Sequence, residues 1–326
     1  MDRPKTRLPR PILVGSATAA TGPLVVPSYS SKALARISVS TTLENTAEFI
    51  AGAVLISAYD IRYHGVDPSR FKVQLIIVDS GGYETLVDEE GRLRGGNADH
   101  ASFPWSPELH AETLAGIDVT SPVVAVSYDR TQLTIEDQIV AAHEASDPRL
   151  GTAFLLKPRI GERLTMDSIA EHARSLGLFD IVGVTEKEAG DTFFERLTFV
   201  ARLRALLDAN DVHKPIHVFG GLDPFMTPLY FLAGADIVDG LTWLRMAFSD
   251  TGARYLPAHA AMIEPMARLE EAEWRIRRTN FRRVVDMQTS IRRFLRNGDY
   301  DELSANKEVS MVIRDLHLQL LQSLKD

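Results

Sequence analysis

Val73-Gln74-Leu75-Ile76-Ile77-Val78-Asp79-Ser80-Gly81-Gly82-Tyr83-Glu84 is the stretch on which the fold turns. Residues 73–78 are aliphatic except for Gln74, and several are β-branched. Such a run reads as a strand covered on both faces, the habit of a parallel sheet. Asp79 then stands where that strand meets its loop. In barrels of alternating strands and helices, chemistry gathers on this rim. Gly81 and Gly82 let the chain turn sharply and let a flat ligand approach the backbone. Tyr83 supplies a ring on which such a ligand can stack. A second acid, Asp239, ends a similar run far downstream. Two carboxylates and a tyrosine are therefore expected to share one site.

Outward from this stretch, strands are expected at residues 11–14, 24–27, 54–57, 122–127, 152–156, 180–184, 216–219 and 236–238. Helical spacing is seen at residues 134–145, 166–176, 193–209 and 224–233. Thr134 reads as the N-cap of the first of these, with Glu136 and Asp137 in the first turn. Strands alternating with helices favour a parallel sheet. About eight such units in about 250 residues suit a closed (β/α)8 barrel better than an open sheet. The barrel is expected over residues 11–257. Residues 258–326 read as a helical region completing it, with helices at 262–278, 281–296 and 309–324. The polar stretch 88–106 reads as a loop over the site.

Bulk properties narrow the function classes. The chain has 326 residues, 45% of them hydrophobic and 25% charged, which is ordinary for a globular protein. The net charge is -8, so a chain basic all over is excluded while a local basic groove is not. There are no cysteines, which excludes disulfides, thiolate metal sites and cysteine nucleophiles. The start is basic and proline-rich, unlike a secretory signal. No apolar run approaches the roughly 20 residues needed to span a bilayer. A cytoplasmic protein without a membrane partner is the expectation.

Each candidate residue also has a bland reading. An Asp after a strand often caps the next helix, and this applies to Asp79, Asp129 and Asp239. Working as a pair, one acid can serve as nucleophile and one as proton carrier. Asp129 can accept hydrogen bonds from a purine-like edge. Gly220 and Gly221 either allow close approach of a ring or simply make a turn. Tyr59 and Tyr128 either line the pocket or pack. His213 and His217 have the i, i+4 spacing of a helical ligand pair, but Pro215 and an expected strand lie there, so they are discounted as a metal pair. Arginines from Arg275 to Arg296 concentrate positive charge that can grip phosphates, or form a solvated helix surface.

Asp79-Ser80-Gly81-Gly82-Tyr83 is similar to the Asp-Ser-Gly-Gly-(Phe/Tyr)-Gln block of the tRNA-guanine transglycosylase family, with Glu84 in place of glutamine. Phe219-Gly220 resembles its Met-Gly pair and Asp239-Gly240 its Asp-Cys pair. Residues 55–59, 127–129 and 280–303 resemble further family elements. The resemblance implies a (β/α)8 barrel that exchanges guanine in tRNA or DNA for a 7-deazaguanine. It implies Asp239 as nucleophile at the ribosyl C1′ carbon and Asp79 as general acid/base. Tyr83 and Phe219 would stack on the two faces of the base, beside Gly81, Gly82 and Gly220, and Asp129 would read its edge. Arg245, Arg275, Arg278 and Arg282 would contact nucleic acid. A homodimer, or a complex with other modification proteins, is implied as well. The family's zinc-binding cysteines are absent, so no cofactor is expected. Lys157 stands where the family has a base-binding glutamine. These departures fit a DNA-modifying branch. A hydrolase using the same acids, or a non-catalytic nucleic-acid-binding subunit, are the alternatives.

Overall fold

In a computed structural model, which describes residues 10–14, 17–34, 38–50, 52–85 and 103–325, eight parallel strands surround one axis. An N-terminal hairpin comes first, β1 (Pro11–Val14) and β2 (Ala17–Thr21). The barrel strands follow: β3 (Leu24–Pro27), β4 (Ala53–Ser57), β5 (Leu75–Asp79), β6 (Val123–Val126), β7 (Gly151–Leu156), β8 (Ile181–Thr185), β9 (Ile216–Phe219) and β10 (Ile237–Gly240). Their order around the sheet is β3-β10-β9-β8-β7-β6-β5-β4. A single parallel bridge, Ser28 to Leu55, joins the two ends and nearly closes the ring. The expected (β/α)8 barrel is therefore present.

Side chains alternate across each strand, as the two-residue period of an extended chain requires. Leu24, Val26, Leu55, Leu75, Ile77, Val124, Val126, Leu155, Ile181 and Ile237 fill the barrel interior. Val25, Val54, Ile56, Ile76, Val78, Val182, Val184 and Val238 face the helices outside. Ile12 and Ala20 of the hairpin pack on the interior cluster, and Gly22 N–H donates to the Arg10 carbonyl at 3.0 Å. The hairpin thus plugs the N-terminal end, leaving the opposite mouth for chemistry. The sequence reading did not foresee this hairpin.

Two helical expectations are corrected. Residues 262–278 and 281–296 form one 29-residue helix, Leu269–Asn297, preceded by Leu256–Ile263. No Gly or Pro interrupts it. Asn280, a residue that often competes with helical backbone, instead binds the Trp243 and Met246 carbonyls and the Phe248 N–H. The helix expected at 166–176 ends at Ala170 and continues as turns into a short 3-10 helix, Ser175–Leu178. The long helix buries Phe281, Val284, Met287, Ile291 and Phe294 in the same core as the barrel's outer layer. A hairpin, β11 (Met246–Ser249) and β12 (Gly252–Tyr255), links it to β10. Residues 258–325 are thus integral to the barrel's packing. Among the described residues no helix is long and apolar enough to cross a membrane.

Candidate active site

The alternation that fills the interior with Leu75 and Ile77 turns Asp79 inward at the C-terminal end of β5. The same rule turns Asp239 inward after Ile237 on β10. Two strands, β3 and β4, lie between them around the ring. Both acids therefore enter one mouth. The electrostatics agree, since burial first, then the charges of Glu84, Asp129 and Asp239, push the Asp79 carboxyl up to about 8. At neutral pH Asp79 holds a proton that it can donate.

Asp239 is almost fully buried and held on both oxygens. Ser28 Oγ donates to Oδ2 at 2.5 Å. His217 Nε2 lies 2.9 Å from Oδ1, and Gly220 N–H donates to Oδ1 at 3.3 Å. Gly220 has φ +82, the left-handed region that glycine adopts at little cost. A carboxylate has about four acceptor positions. Three partners leave one, on Oδ2, for an electrophile.

Asp129 stands 3.7 Å from Lys157 Nζ, which lies 3.0 Å from Glu188 Oε1. Burial pushes the Asp129 carboxyl up, against the pull of Lys157. Burial pulls the Lys157 ammonium down, but Asp129 and Glu188 outweigh it and raise it. Asp129 Oδ1 is buried with no hydrogen-bond partner among the described residues, so it is a ready acceptor for a ligand N–H.

The glycines of the loop have different reasons. Gly81 has φ +85, and a Cβ there would lie 2.7 Å from the Trp105 indole nitrogen. A Cβ on Gly82 would lie 2.7 Å from Asp129 Oδ2. The room they leave is taken by protein side chains, where the sequence reading assigned it to a ligand. Glu84 turns away from the mouth, accepting from Ser30 Oγ at 2.5 Å and Ser57 Oγ at 3.0 Å.

The two aromatic candidates occupy different settings. Tyr83 is half-buried at the mouth, with Lys32 Nζ 4.7 Å from its ring centroid. Its hydroxyl accepts from Arg245 at 2.6 Å. Phe219 lies deeper, stacked on His217 with ring centroids 3.7 Å apart. Tyr59 is fully buried and its hydroxyl accepts from Phe103 N–H, so its role is packing. Tyr128 sits against His110 in a small cavity outside the barrel, away from the mouth.

The arginines separate. Arg245, exposed on the short helix Thr242–Arg245, belongs to the mouth. Arg275, Arg278 and Arg282 recur at i, i+3 and i+7, on the stripe opposite the buried residues of their helix. All three are exposed; Arg275 is paired with Glu264, and Arg278 lies over the Phe49 ring at 5.9 Å. At ~1.5 Å per residue, Arg275 and Arg296 lie roughly 30 Å apart, so the run is not one patch.

Sequence reasoning missed Ser28, Lys32, Lys157 and Glu188 as site residues, and discounted His217. A polar residue interrupting an apolar strand, as His217 does, was the available signal. Of the expected loop 88–106, residues 88–102 lie outside the described residues. Among the described residues no three His, Asp or Glu side chains converge to hold a metal ion.

Fold and site together define a (β/α)8-barrel protein with a two-carboxylate mouth. No protein-family model matches the chain, and no curated protein does.

Proposed function

We propose that the chain is a base-exchanging transglycosylase acting on nucleic acid, as its resemblance to the tRNA-guanine transglycosylase family implies. The observation that carries this reading is Asp239, held by three hydrogen-bond partners with one oxygen position left, in the same mouth as an Asp79 whose carboxyl is pushed up to about 8.

In this reading Asp239 Oδ2 attacks the ribosyl C1′ carbon while the C1′–N bond to the base breaks. The leaving base takes the proton of Asp79. A carboxylate beside the ring stabilises the oxocarbenium-like transition state and then closes to a glycosyl ester. An incoming base, deprotonated by Asp79, attacks C1′ and releases Asp239. The target base must leave its stack to reach a barrel mouth, and Tyr83 offers it a ring. Asp129 would read its edge and Arg245 would meet the backbone.

The test is incorporation of a labelled 7-deazaguanine into tRNA or duplex DNA by the purified chain, with Asp239→Asn beside it. Incorporation by the parent and none by the variant supports the reading. Equal incorporation by the variant removes the nucleophile. Release of free base with no incoming base required would make the chain a hydrolase instead.

A further inference from the structure

We infer that His217 is a positioning residue that fixes the attacking orientation of Asp239, an inference that rests on Asp239 being the nucleophile. His217 is an inward-facing residue of β9, fully buried, within an otherwise apolar strand. Its Nε2 lies 2.9 Å from Asp239 Oδ1. Two acceptors cannot share that contact, so against a carboxylate oxygen the hydrogen sits on Nε2. Nδ1 is buried with no hydrogen-bond partner among the described residues. A buried polar atom left unpaired costs stability, which a role in packing alone does not explain.

The ring has no freedom to rotate away. Phe219 stacks on it at 3.7 Å between centroids with planes 25° apart. Phe219 in turn lies against Gly183 of β8, where a Cβ would come within 2.6 Å of its Cε2. Phe219 and His217 thus stack beside Gly183, and Asp239 meets the edge of the His217 ring through Nε2. With Ser28 on the other oxygen, this stack fixes the carboxylate plane and leaves Oδ2 facing the mouth. The groups facing Asp239 are His217 from β9, Ser28 beyond β3, the Gly220 N–H, and the charge of Asp79 from β5.

Two measurements test this on the full chain. Imidazole nitrogen NMR of the parent, assigned by the signal lost in His217→Gln, should show His217 with hydrogen on Nε2. A ring with no hydrogen on Nε2 overturns the inference. This readout does not depend on any activity, so it decides even if base exchange is not found. In the exchange assay, His217→Phe should lower kcat by about 100-fold with KM within about twofold, the loss expected for removing one preorganised donor. His217→Gln, which restores an N–H near the same place, should recover most of that loss. A Phe variant that melts cooperatively and keeps the parent kcat overturns the inference. So does a folded Gln variant no better than Phe.

Discussion

Ser28 donates its hydroxyl to Asp239 at 2.5 Å, and its backbone bridges Leu55 to close the barrel. One residue therefore belongs both to the ring's seam and to the candidate nucleophile. Its carbonyl also accepts from Trp243 Nε1 at 3.0 Å, so the backbone is held even without the hydroxyl. Ser28→Ala should leave the fold intact and free one oxygen of Asp239. The expected stability loss is about 2 kcal/mol, that of a hydrogen bond to a charged group. The expected rate loss in base exchange is ~10-fold or more. Thermal melts and single-turnover rates of the variant check both figures, and an unchanged rate would show that Oδ2 needs no donor.

Asp79 sets a pH dependence. Its folded carboxyl titrates at about 8 against an ordinary 3.8. The folded chain keeps a proton that the unfolded chain releases, so this group's contribution is fully present below about 4. It is lost as pH rises through about 8. Asp236, pushed up to about 6 chiefly by burial, has the same sign. Melting temperature should therefore fall as pH rises from about 4 to about 8, and less steeply in Asp79→Asn. If Asp79 is the acid, kcat/KM should also fall above about pH 8. A stability profile identical in parent and variant would contradict the assignment.

Gly183 offers a test remote from the substrate. Alanine there would place a Cβ 2.6 Å from the Phe219 ring. Neither is a flexible chain end, so Phe219 must shift and carry the stacked His217 with it. Gly183→Ala should cost ~1–3 kcal/mol, the usual overpacking penalty. Base exchange should slow with little change in KM. Gly177→Ala is the control, since its Cβ would meet only Val212 at ordinary contact distances of 3.6 and 3.9 Å.

Arg245 and Arg293 separate the mouth from the outer helix stripe. Arg245 touches the Tyr83 hydroxyl at the rim, whereas Arg293 lies on the outward face near Glu302. Each phosphate contact contributes about -0.7 to -0.9 to the slope of log affinity against log salt. Arg245→Ala should flatten that slope by about one such contact, and Arg293→Ala should leave it unchanged. Filter binding of RNA and DNA across a salt series reads both.

The barrel was legible because aliphatic runs such as 73–78 and 236–238 recur with helices between them. The period of two would also have placed Ser28 inside, after Leu24 and Val26, but Pro27 ends the apolar run before it. The Ala/Thr-rich strand Ala17–Thr21 carries too little apolar contrast to announce a hairpin. Among the arginines, composition alone suggested a patch. Their phase against Ile276, Phe281 and Val284 shows instead that Arg275, Arg278 and Arg282 face outward. The convergence of Asp129, Lys157 and Glu188 joins three loops far apart in sequence, which no local pattern records.

Every neighbouring pair of barrel strands shares a ladder of at least two paired positions, except β3 and β4. There Gln288 of the long C-terminal helix accepts from Val25 N–H at 2.9 Å, standing in for an absent neighbour. The tail that a linear reading sets apart is thus the clasp of the ring. A chain cut before Leu269 would keep all eight staves and lose the clasp, and the aperture beside Asp239 would slacken from that side first.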